Sequence, residues 1–160
     1  MLLENGSLKY IKAGKHEVIR MIYFALRDNS WLTIKPEIHY IKTEINEDSF
    51  HIVYNCIYNR NDIKFSAEFT IEGKSDTSII FRIKCEALGN FRRNRIGFSL
   101  LHPLEGNTGK PCTVIHTDGV VEKMTFPELI NPHQPFLDIK SFMWPVSEGF
   151  CRIDYFGDVF

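Results

Sequence analysis

Apolar and polar residues alternate with a period of two over much of the chain between residues 8 and 101. The segment 62–73, DIKFSAEFTIEG, puts five apolar side chains (Ile63 to Ile71) on one face and five polar ones (Lys64 to Glu72) on the other. Successive side chains of a strand point to opposite faces, so this pattern predicts a strand with one face in water. The segment 77–88, TSIIFRIKCEAL, has the same pattern, and the GKSD between them is a hairpin loop.

Three further segments are predicted to be strands on less regular patterns. The segment 49–59, SFHIVYNCIYN, has β-branched and aromatic residues on both faces, which is typical of a central strand. In 37–46, EIHYIKTEIN, the apolar face switches between Tyr40 and Ile41, and this predicts a β-bulge. The segment 16–28, HEVIRMIYFALRD, has some helical spacing, but its residue types and its neighbouring strands favour a strand.

The pattern changes after residue 102, where prolines become frequent and the segment 103–111, PLEGNTGKP, is a polar loop. CTVIH and VVEKM flank Asp118-Gly119, which predicts a hairpin with a two-residue type I′ turn. The sequence therefore predicts an all-β protein. Its architecture is an antiparallel β-sandwich, supersandwich-like, with a long proline-rich flap, and residues 1–160 form a single domain.

Composition narrows the class of protein. The 160 residues are 44% hydrophobic and 24% charged, as in an ordinary globular protein, and the formal net charge of −1 argues against a polyanion-binding protein. No apolar run reaches the length of a bilayer span, and MLLENGSLKY lacks the features of a signal peptide, so we expect a cytoplasmic protein without a membrane partner. The four cysteines are far apart, which favours small core residues over a disulfide framework or a zinc site.

Arginines are concentrated where the segment 93–101, RNRIGFSLL, begins. Alternation puts Arg93, Arg95, Gly97 and Ser99 on one face, where the small residues leave space beside two guanidinium groups. Guanidinium donors match carboxylates and vicinal hydroxyls, so this face could bind a small oxygen-rich ligand, with Asn94 beside it. The alternative is a solvated strand whose arginines pair with glutamates. Nucleic acid is disfavoured because no other segment is strongly basic and no RNA-binding aromatic motif is present.

Three histidines follow this segment at intervals of fourteen and seventeen residues: His102, His116 and His133. They could converge on one site if their strands adjoin, together with Asp118 and Gln134. Their spacing does not match that of a metal site, so we expect no metal. Turn formation is an alternative role for Asp118. His133 and Gln134 lie between two prolines, which stiffen the backbone and could hold these side chains toward a ligand.

Three segments carry a resemblance to a known family: RNRIGFSLLHP (93–103), VIHTDG (114–119) and FPELINPHQPF (126–136). Together they resemble the N-terminal domain of the D-apionate lactonase family, and residues 8–31 and 157–160 are similar to the start and end of that domain. The resemblance implies that the chain belongs with bacterial enzymes of apiose catabolism, which hydrolyse D-apionolactone to D-apionate. It also implies a β-sandwich followed by a barrel domain resembling a TIM barrel and a further C-terminal region, with no cofactor.

The resemblance therefore implies the N-terminal domain of a sugar-lactone hydrolase, whose ligand is a sugar lactone or the corresponding acid. Lactone hydrolysis needs a base and donors for the oxyanion. We expect His116 and His133 as candidate bases, and substrate-binding residues at Arg93, Asn94, Arg95, His102, Asp118 and Gln134. The alternative is a non-catalytic carbohydrate-binding or scaffolding module.

The last residues, FCRIDYFGDVF (150–160), are rich in apolar side chains. We expect the chain to be the N-terminal part of a longer lactonase truncated at Phe160, inactive when isolated, that docks on a C-terminal barrel domain. An exposed apolar surface near residue 160 is also predicted, and such a surface promotes self-association.

Overall fold

The computed structural model of the chain describes residues 1–130, 133–146 and 149–157. The regular elements in those ranges are β-strands in three antiparallel sheets, none closed into a barrel, which confirms the all-β prediction. Within the same ranges, no helix is long and apolar enough to cross a membrane.

The strands form three four-stranded sheets within the described ranges, ordered β1-β2-β3-β8, β4-β5-β6-β7 and β10-β9-β11-β12. The segment with mixed signals, residues 16–28, is strand β3 as predicted. In chain order the strands are β1 (Leu2–Glu4), β2 (Ser7–Ala13), β3 (His16–Asp28), β4 (Glu37–Ile45), β5 (Phe50–Arg60), β6 (Ile63–Gly73), β7 (Ile79–Ala87), β8 (Arg93–Leu101), β9 (Pro111–His116), β10 (Val121–Thr125), β11 (Ile139–Val146) and β12 (Gly149–Asp154).

The chain divides into two compact units. Unit 1 comprises residue 1, residues 9–21 and residues 100–160; unit 2 comprises residues 2–8 and 22–99. Strands β3 and β8 each begin in one unit and end in the other. The single-domain organisation expected from the sequence stays a prediction.

The core of unit 2 is a cluster of aromatic rings between two sheets. Phe24 of β3 faces Tyr58, Phe65 and Phe69 of the β4–β7 sheet, with ring centroids 5.6–5.9 Å away. These side chains sit at alternate positions of β5 and β6, and the residues between them point to the opposite face. Two sheets facing each other across such rings form the predicted sandwich.

Tyr54 of β5 adds a polar connection to this core. Its ring stacks on Phe69 with centroids 4.7 Å apart, and its hydroxyl donates a hydrogen bond of 3.0 Å to the carbonyl oxygen of Gly6. Burial raises the pKa of the Tyr54 hydroxyl well above its usual range, so the group stays neutral. The hydrogen bond satisfies a buried hydroxyl and ties β5 to the turn between β1 and β2.

The predicted β-bulge in β4 is confirmed, slightly nearer the start of the strand than the pattern indicated. The register between β4 and β5 shifts between Ile38 and Tyr40, so His39 is the extra residue. Ile38 and Ile41 consequently both lie opposite core-facing residues of β5. The extra residue of the bulge thus allows Ile38 and Ile41, which are three residues apart, to lie on the same apolar face of the sheet.

Unit 1 has its own aromatic core around strands β9 and β11. Phe142 and Trp144 of β11 are buried together with Phe126, and their ring centroids are 5.4–6.2 Å apart. The proline-rich flap, residues 126–138, supplies Phe126 and also Phe136, whose ring lies 4.9 Å from that of Phe142. Aromatic residues at the two ends of the flap therefore anchor it to the sheet.

The hairpin between β9 and β10 differs from the prediction. The His116 amide donates to the Val120 carbonyl at 2.8 Å, so the loop contains three residues and not two. Within that loop only Gly119 has positive φ, at 90°, and the side chain of Asp118 accepts the Val120 amide at 2.9 Å. These features match the three-residue hairpin class with a glycine bulge; a type I′ turn would need positive φ at Asp118 as well.

We expect Phe69→Ala to lower the free energy of unfolding by about 3–5 kcal/mol, because it leaves a cavity among four contacting rings. The control is Thr70→Ala, the next residue on the same strand, which points to the opposite face and should cost less than about 1 kcal/mol. Urea unfolding followed by tyrosine and tryptophan fluorescence measures both values. Equal losses in the two variants would contradict the assigned core.

Candidate functional site

The arginine segment opens strand β8 in unit 2. Phe98 faces the aromatic core, with its ring centroid 4.9 Å from Phe81 and 5.9 Å from Phe24. By alternation, Arg95 and Gly97 lie on the opposite face. A Cβ atom at Gly97 would meet no heavy atom within 4 Å, so the space beside the arginines is open. The open space at Gly97 is compatible with the ligand site expected from the sequence, and that site stays a prediction.

The polar residues of this segment differ in exposure. Arg93 and Asn94 are exposed, whereas Arg95 is half-buried and already interacts with another group of the chain. A ligand would therefore meet Arg93 and Asn94 as mobile surface donors and Arg95 as a more restrained one.

His102 lies inside the aromatic core of unit 1. Its ring centroid is 4.9 Å from Trp144, 5.2 Å from Phe126 and 5.4 Å from Phe142. Burial lowers the pKa of His102 to about 4, because the charged form loses its hydration. Its Nδ1 and the Nε1 of Trp144 have no hydrogen-bond partner among the described residues. This histidine packs as a neutral ring, and its predicted contact with substrate stays a prediction.

His116 ends strand β9, and both of its ring nitrogens have partners. Nδ1 lies 3.1 Å from the Leu137 carbonyl oxygen, to which it can only donate, and Nε2 lies 3.1 Å from Oε2 of Glu122. The ring is about one-fifth exposed, whereas the Glu122 side chain is about half exposed. A base must have a free nitrogen near its substrate, so catalysis by His116 would require one of these contacts to open.

Glu122 was missed by the sequence analysis because the hairpin loop was predicted one residue too short. A two-residue loop would put Glu122 opposite Ile115, on the other face from His116. The observed register pairs Glu122 with Val114, which makes His116 and Glu122 diagonal neighbours on one face. A one-residue difference in register reverses which side chains share a face.

The flap approaches the same hairpin. In addition to the His116 contact with Leu137, the Thr117 amide donates to the Asp138 carbonyl oxygen at 2.9 Å. Unit 1 thus joins the loop containing Asp118 to the end of the segment that contains His133 and Gln134. His133 is exposed, Gln134 is half-buried, and both interact with other groups of the chain. Pro132, expected to stiffen this segment, lies outside the described residues.

A second polar cluster lies on β11 and β12. The buried hydroxyl of Ser141 bonds to the carboxylate of Asp154, which also accepts a hydrogen bond of 2.9 Å from Nε of Arg152. The Arg152 hydrogen bond and that of Ser141 hold the pKa of Asp154 below its usual range. A carboxylate that is hydrogen-bonded to an arginine and has a lowered pKa is a poor base for the serine. This cluster therefore serves as a side-chain connection between the paired residues Ser141 and Asp154.

The candidate residues therefore belong to two sets. Arg93, Asn94 and Arg95 are in unit 2, whereas His102, His116, Asp118, His133 and Gln134 are in unit 1. Among the described residues, no group of three or more His, Cys, Asp or Glu side chains is arranged to hold a metal ion. The four cysteines are unpaired; Cys56 and Cys112 are buried as predicted for core residues, whereas Cys85 is exposed.

Comparison with known proteins identifies the family. The family model described as D-apionate lactonase, N-terminal domain, matches residues 1–160. The chain belongs to this family. It is 32% identical over 162 residues to a D-apionate lactonase of Brucella anthropi, an alignment that covers 99% of this chain and 26% of that protein. The chain thus spans about a quarter of the relative's length. No solved structure matches it.

Stability should depend on pH through His102. Its pKa in the folded protein is about 4, below the ordinary value near 6.5 expected after unfolding, so between these values the unfolded state binds the additional proton. The contribution of neutral His102 to the free energy of unfolding is therefore fully present above about pH 6.5. As the pH falls toward 4, this contribution is lost, and the free energy of unfolding decreases by up to about 3 kcal/mol.

His102→Phe should remove this part of the pH dependence, because phenylalanine has a similar shape and does not titrate. The exposed His16→Phe is the matched control and should keep it. Urea unfolding at pH 7.5, 6, 5 and 4.5 measures the difference. A wild-type slope that persists unchanged in His102→Phe would contradict the assignment.

Proposed function

We propose that this chain is the N-terminal domain of a sugar-lactone hydrolase and contributes to binding a polyhydroxylated lactone such as D-apionolactone. The observation that carries the proposal is the family match along all 160 residues, supported by a relative named D-apionate lactonase. We further propose that the full-length protein acts in the cytoplasm on a small, water-soluble metabolite.

The reaction adds water across the ring ester. A water oxygen attacks the lactone carbonyl, the bond between that carbon and the ring oxygen breaks, and the products are a carboxylate, a proton and a free hydroxyl. The barrier falls when a base takes the proton from water and donors stabilise the oxyanion. Arg93 and Arg95 would serve as donors to the oxyanion or to ligand hydroxyls, since the space beside them is open at Gly97.

The unit 1 residues would act differently. His133, exposed in the flap, and His116, once released from Glu122 or Leu137, are the candidate bases. Asp118 and Gln134 would accept or donate hydrogen bonds to ligand hydroxyls, as would Asn94 in unit 2. His102 would reach a ligand only if the aromatic residues around it moved, so it is the weakest of these assignments.

The rest of a full-length protein would complete the enzyme. Among the residues of unit 1 that the structure describes, four apolar side chains are at least 74% exposed: Leu129, Ile130, Phe150 and Phe156. The relative continues for about three times the length of this chain outside the aligned region. We infer that its C-terminal barrel domain covers these side chains, since large exposed apolar side chains in soluble proteins can mark interfaces. Without that domain, these side chains would support self-association and the chain would not turn over lactone alone.

In a full-length family member, replacing the residue equivalent to Arg95 by alanine should lower kcat/KM for the lactone about ten- to a hundredfold. A charge-assisted hydrogen bond is worth about 1.5–3 kcal/mol. The control is alanine at Arg92, a neighbouring exposed arginine that precedes β8. Turnover and thermal unfolding are measured for both variants. Unchanged turnover with lowered stability at Arg95 would support the scaffolding alternative and remove Arg95 from the site.

Phe150→Ser combined with Phe156→Ser should reduce self-association of the 160-residue chain, because it removes two aromatic rings that are 74% and 93% exposed. Ile45→Ser is the control, since Ile45 is 75% exposed but lies in unit 2. Sedimentation velocity over a hundredfold range of concentration measures the association. The same loss in Ile45→Ser, or none in the double variant, would contradict this surface assignment.

A further inference from the structure

The outer face of the β4–β7 sheet carries an open depression of about 600 Å³ that none of the residues discussed for lactone hydrolysis lines. Cys56, Ala67 and Cys85 line it, and the residues on either side of them along β5, β6 and β7 form two rows across the strands. One row is Asn55, Glu68 and Lys84; the other is Ile57, Ser66 and Glu86. Its volume falls within the roughly 300–1,000 Å³ usual for small-molecule sites.

The shape of the depression follows from the side chains that alternation sends outward. Ser66 and Ile57 are half-buried and form the floor, whereas Asn55, Glu68, Lys84 and Glu86 are exposed and form its wall. The small side chain of Ser66 lies between longer ones on both neighbouring strands. Because these residues stand on paired strands, their spacing is fixed by the hydrogen-bonded register.

The β-bulge adds to this side of the sheet. His39, the extra residue of β4, lines the depression. The next residue, Tyr40, lies directly opposite Asn55 and is 53% exposed, so it extends the first row by an aromatic ring. Bulges commonly redirect side chains beside binding sites, and here the extra residue brings an imidazole to the depression.

The chemistry of this surface fits a sugar. Asn55 and Lys84 donate hydrogen bonds, Glu68 and Glu86 accept them, and Ser66 does both, which suits hydroxyl groups that also do both. The aliphatic side chain of Ile57 offers contact to the C–H face of a sugar ring. The lining contains two carboxylates, one ammonium group and the imidazole of His39, so its fixed charges disfavour an anion.

We propose that this depression binds an uncharged polyhydroxy ligand of monosaccharide size, and that it prefers a sugar lactone to the carboxylate formed when the lactone is hydrolysed. The choice of a lactone as the ligand rests on the proposed function, whereas the preference for an uncharged polyol rests on the lining residues. Such a site would concentrate the uncharged substrate near the enzyme and release the anionic product.

The test is titration of the ¹⁵N-labelled 160-residue chain with D-ribono-1,4-lactone and, separately, with sodium D-ribonate, followed by NMR of the backbone amides. The lactone should shift the amide signals of residues 55–57, 66–68 and 84–86. Ser66→Tyr fills the floor and should weaken lactone binding at least about tenfold. Thr70→Tyr is the matched control, since it puts the same side chain on the same face of β6 outside the depression.

Two further variants separate charge from shape. Glu68→Gln keeps the shape and removes one carboxylate, so it should narrow the difference between lactone and ribonate. Asn55→Ala removes the carboxamide from the wall and gives a second loss of affinity if Ser66→Tyr unfolds the sheet. Shifts outside these strands, equal weakening by Ser66→Tyr and Thr70→Tyr, or ribonate binding as tightly as the lactone would each overturn the proposal.

Lactone hydrolysis by a full-length relative is assayed in parallel and reports on the proposed function alone. Hydrolysis without lactone binding at the depression overturns this inference and leaves the proposed function standing. Binding at the depression without hydrolysis by the full-length protein overturns the proposed function and leaves this inference standing.

Discussion

Burial of aromatic rings between the sheets of unit 2 is the constraint on which the rest of that unit depends. Phe69 contacts Phe24, Tyr54, Phe81 and Phe98, and a shift of one residue in β6 would turn its ring toward water. The register that buries Phe69 therefore also fixes the outward residues. The row of polar side chains on the outer face, at Glu68 and its cross-strand neighbours, is a consequence of the core.

Tyr54 and His102 are two buried polar side chains whose polar atoms are accommodated in different ways. In unit 2 the hydroxyl of Tyr54 is buried with a carbonyl partner, so the group contributes a hydrogen bond to stability. In unit 1 the Nδ1 of His102 is buried without a partner among the described residues, and desolvation keeps the ring neutral. A neutral ring surrounded by Phe126, Phe142 and Trp144 stabilises by packing, which separates His102 from the histidines that contact polar groups.

The candidate residues for lactone hydrolysis were chosen from the sequence by residue type and by family motifs. The groups that these residues contact in the folded chain could not be predicted in the same way. Arg95 and Gly97 could be assigned to one face of β8 because alternation needs only local geometry. The contacts of His116 with Glu122 and Leu137 depend on a loop length and on a segment twenty-one residues away. The depression at Ser66 needed three strands in register, so no single segment contained its signal.

The sequence by itself determined strands β3 to β10, the faces they bury, the bulge in β4 and the family, because a period of two and long motifs are read within one segment. Only the structure decided that the hairpin loop has three residues. The His116 amide donates to the Val120 carbonyl and the Asp118 side chain accepts the Val120 amide, and the Asp-Gly pair alone does not specify this loop length. The structure also decided that His102 is a core residue, as only the packed rings of unit 1 exclude water from it. Burial and cross-strand neighbours are set by residues distant in the chain, which local patterns do not encode.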